Sequence, residues 1–553
     1  MASQRKSSIK NVAEVLVECL ESEGVEYVFG VPGEENLAFL EALRNSTIKF
    51  ITTRHEQGAA FMAATIGRLT GKVGVALSTL GPGATNLFTG VAHAQLAGIP
   101  LLVITGQKPI KKSKQGQFQI VDVVKMMAPV TKYSATIVSG DKVASMVREA
   151  FKLALAERPG AVHLELPEDI AEEFCQNVPI PPYKVRRPSA DDKAIKNALM
   201  EIEKSKRPLA ILAAGGNRKL VRKQLEIFLN KTGIPFVSTQ MGKGVENENS
   251  PLYIGTTALS EGDYVHQALR NADLVIMIGH DISEKPPITL DGKHCKVIHI
   301  NFSPADVDEV YVPTHEVVGD ISHTLWRFSE EIKINSSWDF RFFYKTKNAL
   351  KKDIAKFADS KDFPIRPERL VSDIDKIFPK DGILALDNGM YKIWVARNLV
   401  CAEQNSLLLD NALATMGAGL PSGIAAKMIN PKKKVLVISG DGGIMMSIAE
   451  LETAVRLKLD LVVLILDDSG LGMIRWKQKS MKLPAFALSF KNPDFVMLAN
   501  SFGAIGHKVN KAEDLAVILK KVINSKGVHV ISCPISYNKA NQVLAGIKNK
   551  KIK

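Results

Sequence analysis

Cysteine is scarce. The five residues, Cys19, Cys175, Cys295, Cys401 and Cys533, are odd in number, scattered and free of any CxxC pair. That excludes a disulfide framework and a zinc ribbon, and fits a reducing compartment. Nowhere do ~18 apolar residues run without a break, so no membrane span is expected. The most apolar stretch, 73–106, is interrupted by Gly81, Pro82, Gly83, Gly98 and Pro100. No secretory core opens the chain either. Ile9, Val12, Val15, Leu16, Cys19 and Leu20 recur at helical spacing, with Glu14 and Glu18 between them, and cytoplasm is the expected location. No GxGxxG follows a candidate strand, which disfavours a nicotinamide-dependent dehydrogenase. Zinc-finger, RNP-type and aromatic-interleaved basic motifs are missing too. The net charge of +14 therefore reads as dispersed surface lysine, with short clusters at 111–114, 432–434 and 548–553, and no nucleic-acid partner is expected.

What is present is a chain of 553 residues, 46% hydrophobic and 24% charged, the balance of several globular domains. A proline-rich stretch at 178–188 and a lysine-rich one at 333–366 divide it into blocks 1–180, 190–335 and 365–553. Each block reads as α/β. In the first, apolar Val73–Leu77 meets the Gly81-Pro82-Gly83 turn, a helical run, then apolar Leu101–Ile104. In the last, Val435–Ile438 meets Gly440-Asp441-Gly442-Gly443, a helix through Leu457, then Leu461–Leu466. Buried strand, glycine turn, helix and buried strand make a parallel βαβ unit, so the outer blocks look like diverged copies of one domain. The expectation is three parallel-sheet α/β domains.

The third block carries the chemistry. A strand ending in Gly440-Asp441-Gly442 sets a carboxylate beside the next helix's N-terminus, where unpaired N–H groups attract phosphate. The following strand delivers Asp468 to the same sheet edge, where ligands of open α/β folds bind. Two hard oxygen ligands, a backbone carbonyl, water and diphosphate oxygens make an octahedral magnesium site. This spacing resembles the cofactor motif of thiamine-diphosphate enzymes, in which the Gly-Asp-Gly is followed by Asn-Asn; here the pair is Asp467-Asp468. The resemblance implies thiamine diphosphate and Mg2+ as cofactors, with Asp441, Asp468 and the Gly470 carbonyl as metal ligands and Gly440, Gly442 and Gly443 at the diphosphate.

The first block strengthens it. Arg54-His55-Glu56-Gln57-Gly58-Ala59-Ala60-Phe61-Met62-Ala63 resembles the segment that bears the activating glutamate in that superfamily, particularly in acetolactate synthases. It implies Glu56 as the carboxylate at N1′ of the aminopyrimidine, where it favours the imino form that deprotonates C2. Val28–Gly33 resembles the family's first strand and turn, placing Pro32 at the cofactor. Leu80-Gly-Pro-Gly-Ala-Thr-Asn86 resembles its glycine-rich turn, with Asn86 in the pocket. Phe118-Gln119, then Asp122, resembles the substrate-side loop, and Gln119 would meet the pyruvate-derived group. Asp387-Asn-Gly389-Met390-Tyr391 resembles the loop over the diphosphate. Thr415-Met416-Gly417 fits the wedge that bends the cofactor, a catalytic role through positioning. Met473-Ile-Arg-Trp476 resembles the biosynthetic enzymes' tryptophan segment, one residue shorter, and sets Met473 beside the cofactor.

The resemblance implies a pyrimidine domain, a central Rossmann-like domain and a diphosphate domain, in that order. It also implies a homodimer or homotetramer in which the neighbouring chain supplies the glutamate. Aldehyde-releasing decarboxylases resemble a pattern with paired histidines in the first block; Lys111–Gln119 has none. Capture by a second 2-oxo acid is then expected, giving 2-acetolactate from pyruvate. Ile278-Gly-His-Asp281 and Glu284-Lys285-Pro286 replace the flavin group's Arg-Phe-Asp-Asp-Arg stretch, so the chain resembles the catabolic type and FAD is not expected. The alternatives are another thiamine-diphosphate carboligase or decarboxylase and a flavin-linked pyruvate oxidase. A non-catalytic relative is disfavoured by intact Glu56, Asp441 and Asp468.

Overall fold

A computed structural model describes residues 10–111, 116–183, 187–218, 221–259, 261–284, 290, 295–306 and 310–541. Part of the histidine-free segment (112–115), Lys285, Pro286 and the terminal lysines 548–553 lie outside the described residues. The chain divides into two compact units, 1–186 and 187–553.

In the first unit, near-continuous apolar runs become parallel strands with both faces covered, as parallel sheets require. Their spatial order is Lys49–Thr52, Tyr27–Gly30, Gly74–Ser78, Leu101–Gln107, Ala161–Pro167 and Tyr133–Thr136, every pair parallel. Numbered along the chain, that order is 2-1-3-4-6-5. The predicted first helix is Val12–Ser22; Asn11 and Glu14 close a capping box at its start, and Val12, Val15, Leu16, Cys19 and Leu20 are buried.

The second unit holds two further six-stranded sheets. The carboxyl-terminal one runs Leu407–Leu408, Ile383–Leu386, Val435–Gly440, Leu461–Asp467, Val528–Pro534 and Ile505–Lys508, again all parallel. Its chain-numbered order repeats the 2-1-3-4-6-5 of the first unit, which supports diverged copies of one domain. The central sheet differs. Tyr253–Thr256, Phe236–Ser238, Pro208–Leu212, Leu274–Ile278, Lys296–Asn301 and His315–Val318 follow one another, the 3-2-1-4-5-6 order of dinucleotide-binding folds. The lysine-rich stretch between the second and third predicted blocks contains a helix, Arg341–Ala355, that buries Phe343, Thr346 and Leu350. Its seven-residue spacing of apolar side chains was masked by the lysines between them. Buried polar contacts tie the two sheets of this unit: Arg397 pairs with Asp263 and Asp353, and Lys243, itself paired with Glu248, donates to the Leu399 carbonyl at 2.8 Å. Among the described residues, no helix is long and apolar enough to cross a membrane.

The central crevice is filled from within. Glu284, 2% exposed, accepts the Ala214 N–H at 2.7 Å and the Thr239 hydroxyl at 2.6 Å, at the carboxyl ends of strands 208–212 and 236–238. Gly279 backs this crevice with φ +68, and a Cβ there would sit 2.6 Å from the Gly216 nitrogen. Burial pushes the Glu284 carboxyl up to about 7, with Asp281 adding to the rise and the two hydrogen bonds opposing it. The folded chain therefore holds this proton more tightly than the unfolded one. The stability it contributes is present below the unfolded value and is lost as pH rises through 7. Glu284→Gln should melt higher than wild type at pH 8 by on the order of 3 kcal/mol, with little difference at pH 4.5. Matched thermal scans at the two pH values check this; a deficit for the variant at pH 8 contradicts it.

Candidate functional site

The candidate residues follow the carboxyl ends of strands in the two outer sheets, and the first group is built from a helix start. Extended backbone at His55 caps helix Glu56–Thr70, and the His55 ring nitrogen Nδ1 accepts the Gln57 N–H at 3.1 Å. Glu56 thereby opens the helix where its partial positive charge favours a carboxylate. It is buried, and its Oε2 accepts from Asn86 Nδ2 at 3.0 Å. Asn86 lies in the first turns of helix Pro82–Leu96. Gly83 faces the carboxylate closely: a Cβ there would lie 3.2 Å from Glu56 Oε1 and 2.9 Å from Thr79. The structure thus brings Glu56, Asn86 and the glycine turn together.

Gln119 is exposed, with φ +59. Its carbonyl oxygen packs on Gly81, where a Cβ would approach to 2.6 Å, so the loop and the glycine turn meet. Pro32 is exposed in the turn after strand Tyr27–Gly30. Behind it lies a group that the sequence reading did not single out. Buried Glu35 accepts from Lys108 Nζ at 2.7 Å and from the Thr79 hydroxyl.

In the second unit, Asp441 is 2% exposed and begins Asp441–Met445. The predicted helix through Leu457 is two pieces, this one and Glu450–Arg456; Gly442 and Gly443 propagate a helix poorly. Any phosphate here would be met by single amides more than by a long helix's dipole. The Gly440 N–H donates to the Tyr391 hydroxyl at 3.0 Å. A Cβ on Gly443 would lie 2.6 Å from Asp387 Oδ2, and one on Gly442 would lie 3.3 Å from the Met416 methyl. Met416 is therefore beside the Gly-Asp-Gly turn. Tyr391 also packs on Gly389, and Met390 lies by Gly472. Met473 is half-buried in helix Gly472–Ser480.

Asp387 explains how these loops stay together. Fully buried, it accepts the Ser439 hydroxyl at 2.7 Å, the Gly417 N–H at 2.9 Å and the Asn388 N–H at 2.7 Å. One carboxylate so joins the ends of two strands to the Met416 loop.

Asp468 is half-buried, and its Oδ2 receives Arg475 at 3.1 Å. Burial and then the charge of Asp441 push the Asp468 carboxyl up to about 7, while Arg475 draws it down. Crowded carboxylates at one sheet edge are a donor set that a cation relieves. The Gly470 carbonyl accepts the Gly472 N–H at 3.1 Å, and Gly470 bridges to Ser489. Among the described residues, no group of three or more His, Cys, Asp and Glu forms a ready-made metal cage. Two carboxylates fit an ion completed by carbonyl, water and diphosphate oxygens, the pattern of Mg2+.

Sequence reasoning missed Arg475 as the partner of Asp468, and it missed Asn492, whose amide reaches Asp441 and Asp467. Asn492-Pro-Asp494 signals only a helix start, and Asp494 does cap Phe495–Ser501.

Three family models match the chain. The thiamine pyrophosphate enzyme N-terminal TPP binding domain covers 10–126, the central domain 195–328 and the C-terminal TPP binding domain 387–533. The acetolactate synthase of Bacillus subtilis (strain 168) is 33% identical over 550 residues, spanning 97% of this chain and 95% of that protein. The catabolic acetolactate synthase of Raoultella terrigena is 33% identical over 543 residues, 97% and 96% of the two chains. The acetolactate synthase isozyme 2 large subunit of Escherichia coli (strain K12) is 30% identical over 535 residues, 95% of each.

Proposed function

This chain belongs to the thiamine-diphosphate-dependent acetolactate synthase family, and we propose that it joins two pyruvate molecules to 2-acetolactate with release of carbon dioxide, using Mg2+. The observation that carries the reading is the pairing of Asp441 and Asp468 at one sheet edge, with Met416 against Gly442. Asp441, Asp468 and the Gly470 carbonyl hold the metal in this reading; Gly440, Gly442, Gly443, Gly389, Met390, Tyr391 and Met473 line the diphosphate side. Pro32, Asn86 and Glu56 serve the aminopyrimidine, and Gln119 faces the substrate. When bound, thiamine diphosphate supplies the carbon nucleophile and the electron sink for decarboxylation. Glu56 holds or releases the proton at N1′, oriented by the Asn86 amide. Met416 fills the space beside the Gly-Asp-Gly turn and fixes the angle at which the cofactor lies.

Lys111–Gln119 lacks the paired histidines of the aldehyde-releasing pattern, which favours carboligation. Flavin is no part of this reading: the buried Glu284 side chain already takes the Ala214 N–H and the Thr239 hydroxyl at the central crevice, donors that a dinucleotide's diphosphate would need. We read the working unit as a homo-oligomer. The experiment is direct. Purified protein with pyruvate, thiamine diphosphate and Mg2+ should yield 2-acetolactate, detected as acetoin after acid treatment. Acetaldehyde or acetyl phosphate as the main product would replace the proposal with one of its rivals.

Arg475 gives a prediction of opposite sign to a ligand's. Its guanidinium sits on the carboxylate that the metal needs, so it competes with the ion. Arg475→Gln should lower the Mg2+ needed for half-maximal activity about 5-fold, the scale of ~1 kcal/mol of charge repulsion in water-like surroundings. A magnesium titration reads it, and a raised requirement would mean that Arg475 supports the site instead.

A further inference from the structure

We propose that Asn492 is a positioning residue of the metal site, its side-chain amide bridging Asp441 and Asp467 so that Asp441 keeps its carboxylate turned toward the cation. The inference rests on the reading of Asp441 and Asp468 as metal ligands. The amide nitrogen carries two hydrogens and lies 2.8 Å from Asp441 Oδ2 and 2.9 Å from Asp467 Oδ1. One hydrogen therefore goes to each carboxylate. The other Asp441 oxygen, Oδ1, takes the Gly442 N–H at 2.7 Å. Both oxygens are thus fixed, and each keeps a lone-pair direction for a metal.

The bridge also answers an electrostatic problem. Asp467 ends one strand and Asp441 directly follows the end of its parallel neighbour, so two like charges there repel each other. A neutral double donor holds both without adding charge to the site. Asp467 is in turn held by the Ser469 N–H at 3.1 Å, so the far end of the bridge is anchored.

The segment that bears Asn492 is tied down on both sides. The Leu471 N–H donates to the Leu488 carbonyl at 3.0 Å, Ser489 pairs with Gly470, and Phe490 lies 3.4 Å from a Cβ position on Gly442. Beyond it, the Asp494 side chain accepts the Val496 and Met497 N–H groups. Residues 488–494 form a strap across the carboxyl edge of the sheet, and Asn492 is its polar tie to the carboxylates.

The test uses the full-length enzyme with thiamine diphosphate and Mn2+ as the probe, its binding followed by electron paramagnetic resonance. Asn492→Leu keeps the volume and removes both donors; its Mn2+ affinity should fall ~10–100-fold, as when an outer-shell partner is lost. Asn492→Gln retains the amide on a longer arm and should recover part of that loss. Excess metal should restore turnover in both variants, and the apo melting temperature should stay near wild type. Equal Mn2+ affinity in wild type and Asn492→Leu overturns the proposal while leaving the metal site standing. If Asn492→Leu folds poorly, wild-type affinity in Asn492→Gln overturns it equally. A wild-type protein that takes up no Mn2+ with thiamine diphosphate overturns the metal reading, and this inference with it.

Discussion

Glu56→Gln should lower turnover by ~10²–10⁴, the range of lost general acid–base assistance, while the fold and the affinity for Mg2+ stay close to wild type. Glutamine fills the same volume at the start of helix Glu56–Thr70, and the neighbouring Gly83 leaves room for it. The Asn86 amide, now 3.0 Å from Glu56 Oε2, can donate to the new side-chain carbonyl. What glutamine cannot do is share a proton with N1′ of an aminopyrimidine. Hydrogen–deuterium exchange at cofactor C2 isolates that step from the later chemistry. It should slow in step with turnover, and cofactor affinity should change far less. Exchange as fast as in wild type would reduce Glu56 to a helix-start carboxylate stabilising its own N-terminus by a few tenths of a kcal/mol, about 0.3–1.

Much of this was legible because parallel strands covered on both faces are written as unbroken apolar runs. Gly74–Ser78, Leu101–Gln107, Val435–Gly440 and Leu461–Asp467 all fall where Val, Ile and Leu cluster. The residues of the candidate sites were legible where a glycine turn follows such a run, as at Gly81–Gly83 and Gly440–Gly443. Strand order was not. The sequence spacing of the outer and central sheets is alike, yet one order is 2-1-3-4-6-5 and the other 3-2-1-4-5-6, because long-range pairing leaves no local pattern.

Contacts made by isolated polar side chains were hidden for a similar reason. Asn492 comes from a segment without periodicity, and Arg475 lies on a helix with no buried residue. Asp387 was visible as part of a loop, but its three hydrogen bonds arise only when two strand ends and the Met416 loop meet. Glu284 read as a marker of a missing flavin motif. Its burial at the crevice came from the fold.

Asp441→Ala should weaken metal-dependent binding of thiamine diphosphate by more than ~100-fold, beyond the loss typical of an outer-shell partner, and abolish turnover at ordinary cofactor concentrations. The substitution removes one of two carboxylates, leaves the Gly442 N–H without its side-chain acceptor and leaves the Asn492 amide only Asp467. A diphosphate then faces Asp467 and Asp468 with no ion to offset their charge. The apo protein should respond in the opposite direction. Asp441 is the neighbouring charge that helps to push the Asp468 carboxyl up, so its removal relieves crowding and the apo melting temperature should hold or rise. Wild type should gain stability on adding Mg2+ and thiamine diphosphate, about 2.7 kcal/mol at a ligand concentration of 100 Kd; Asp441→Ala should gain almost none. Asp468→Asn, whose amide oxygen can still ligate, should fall between the two. Thermal scans with and without the cofactors, beside calorimetric titration, measure both signs at once. A variant that still gains the wild-type increment would place the metal elsewhere and leave Asp441 as a strand-end cap.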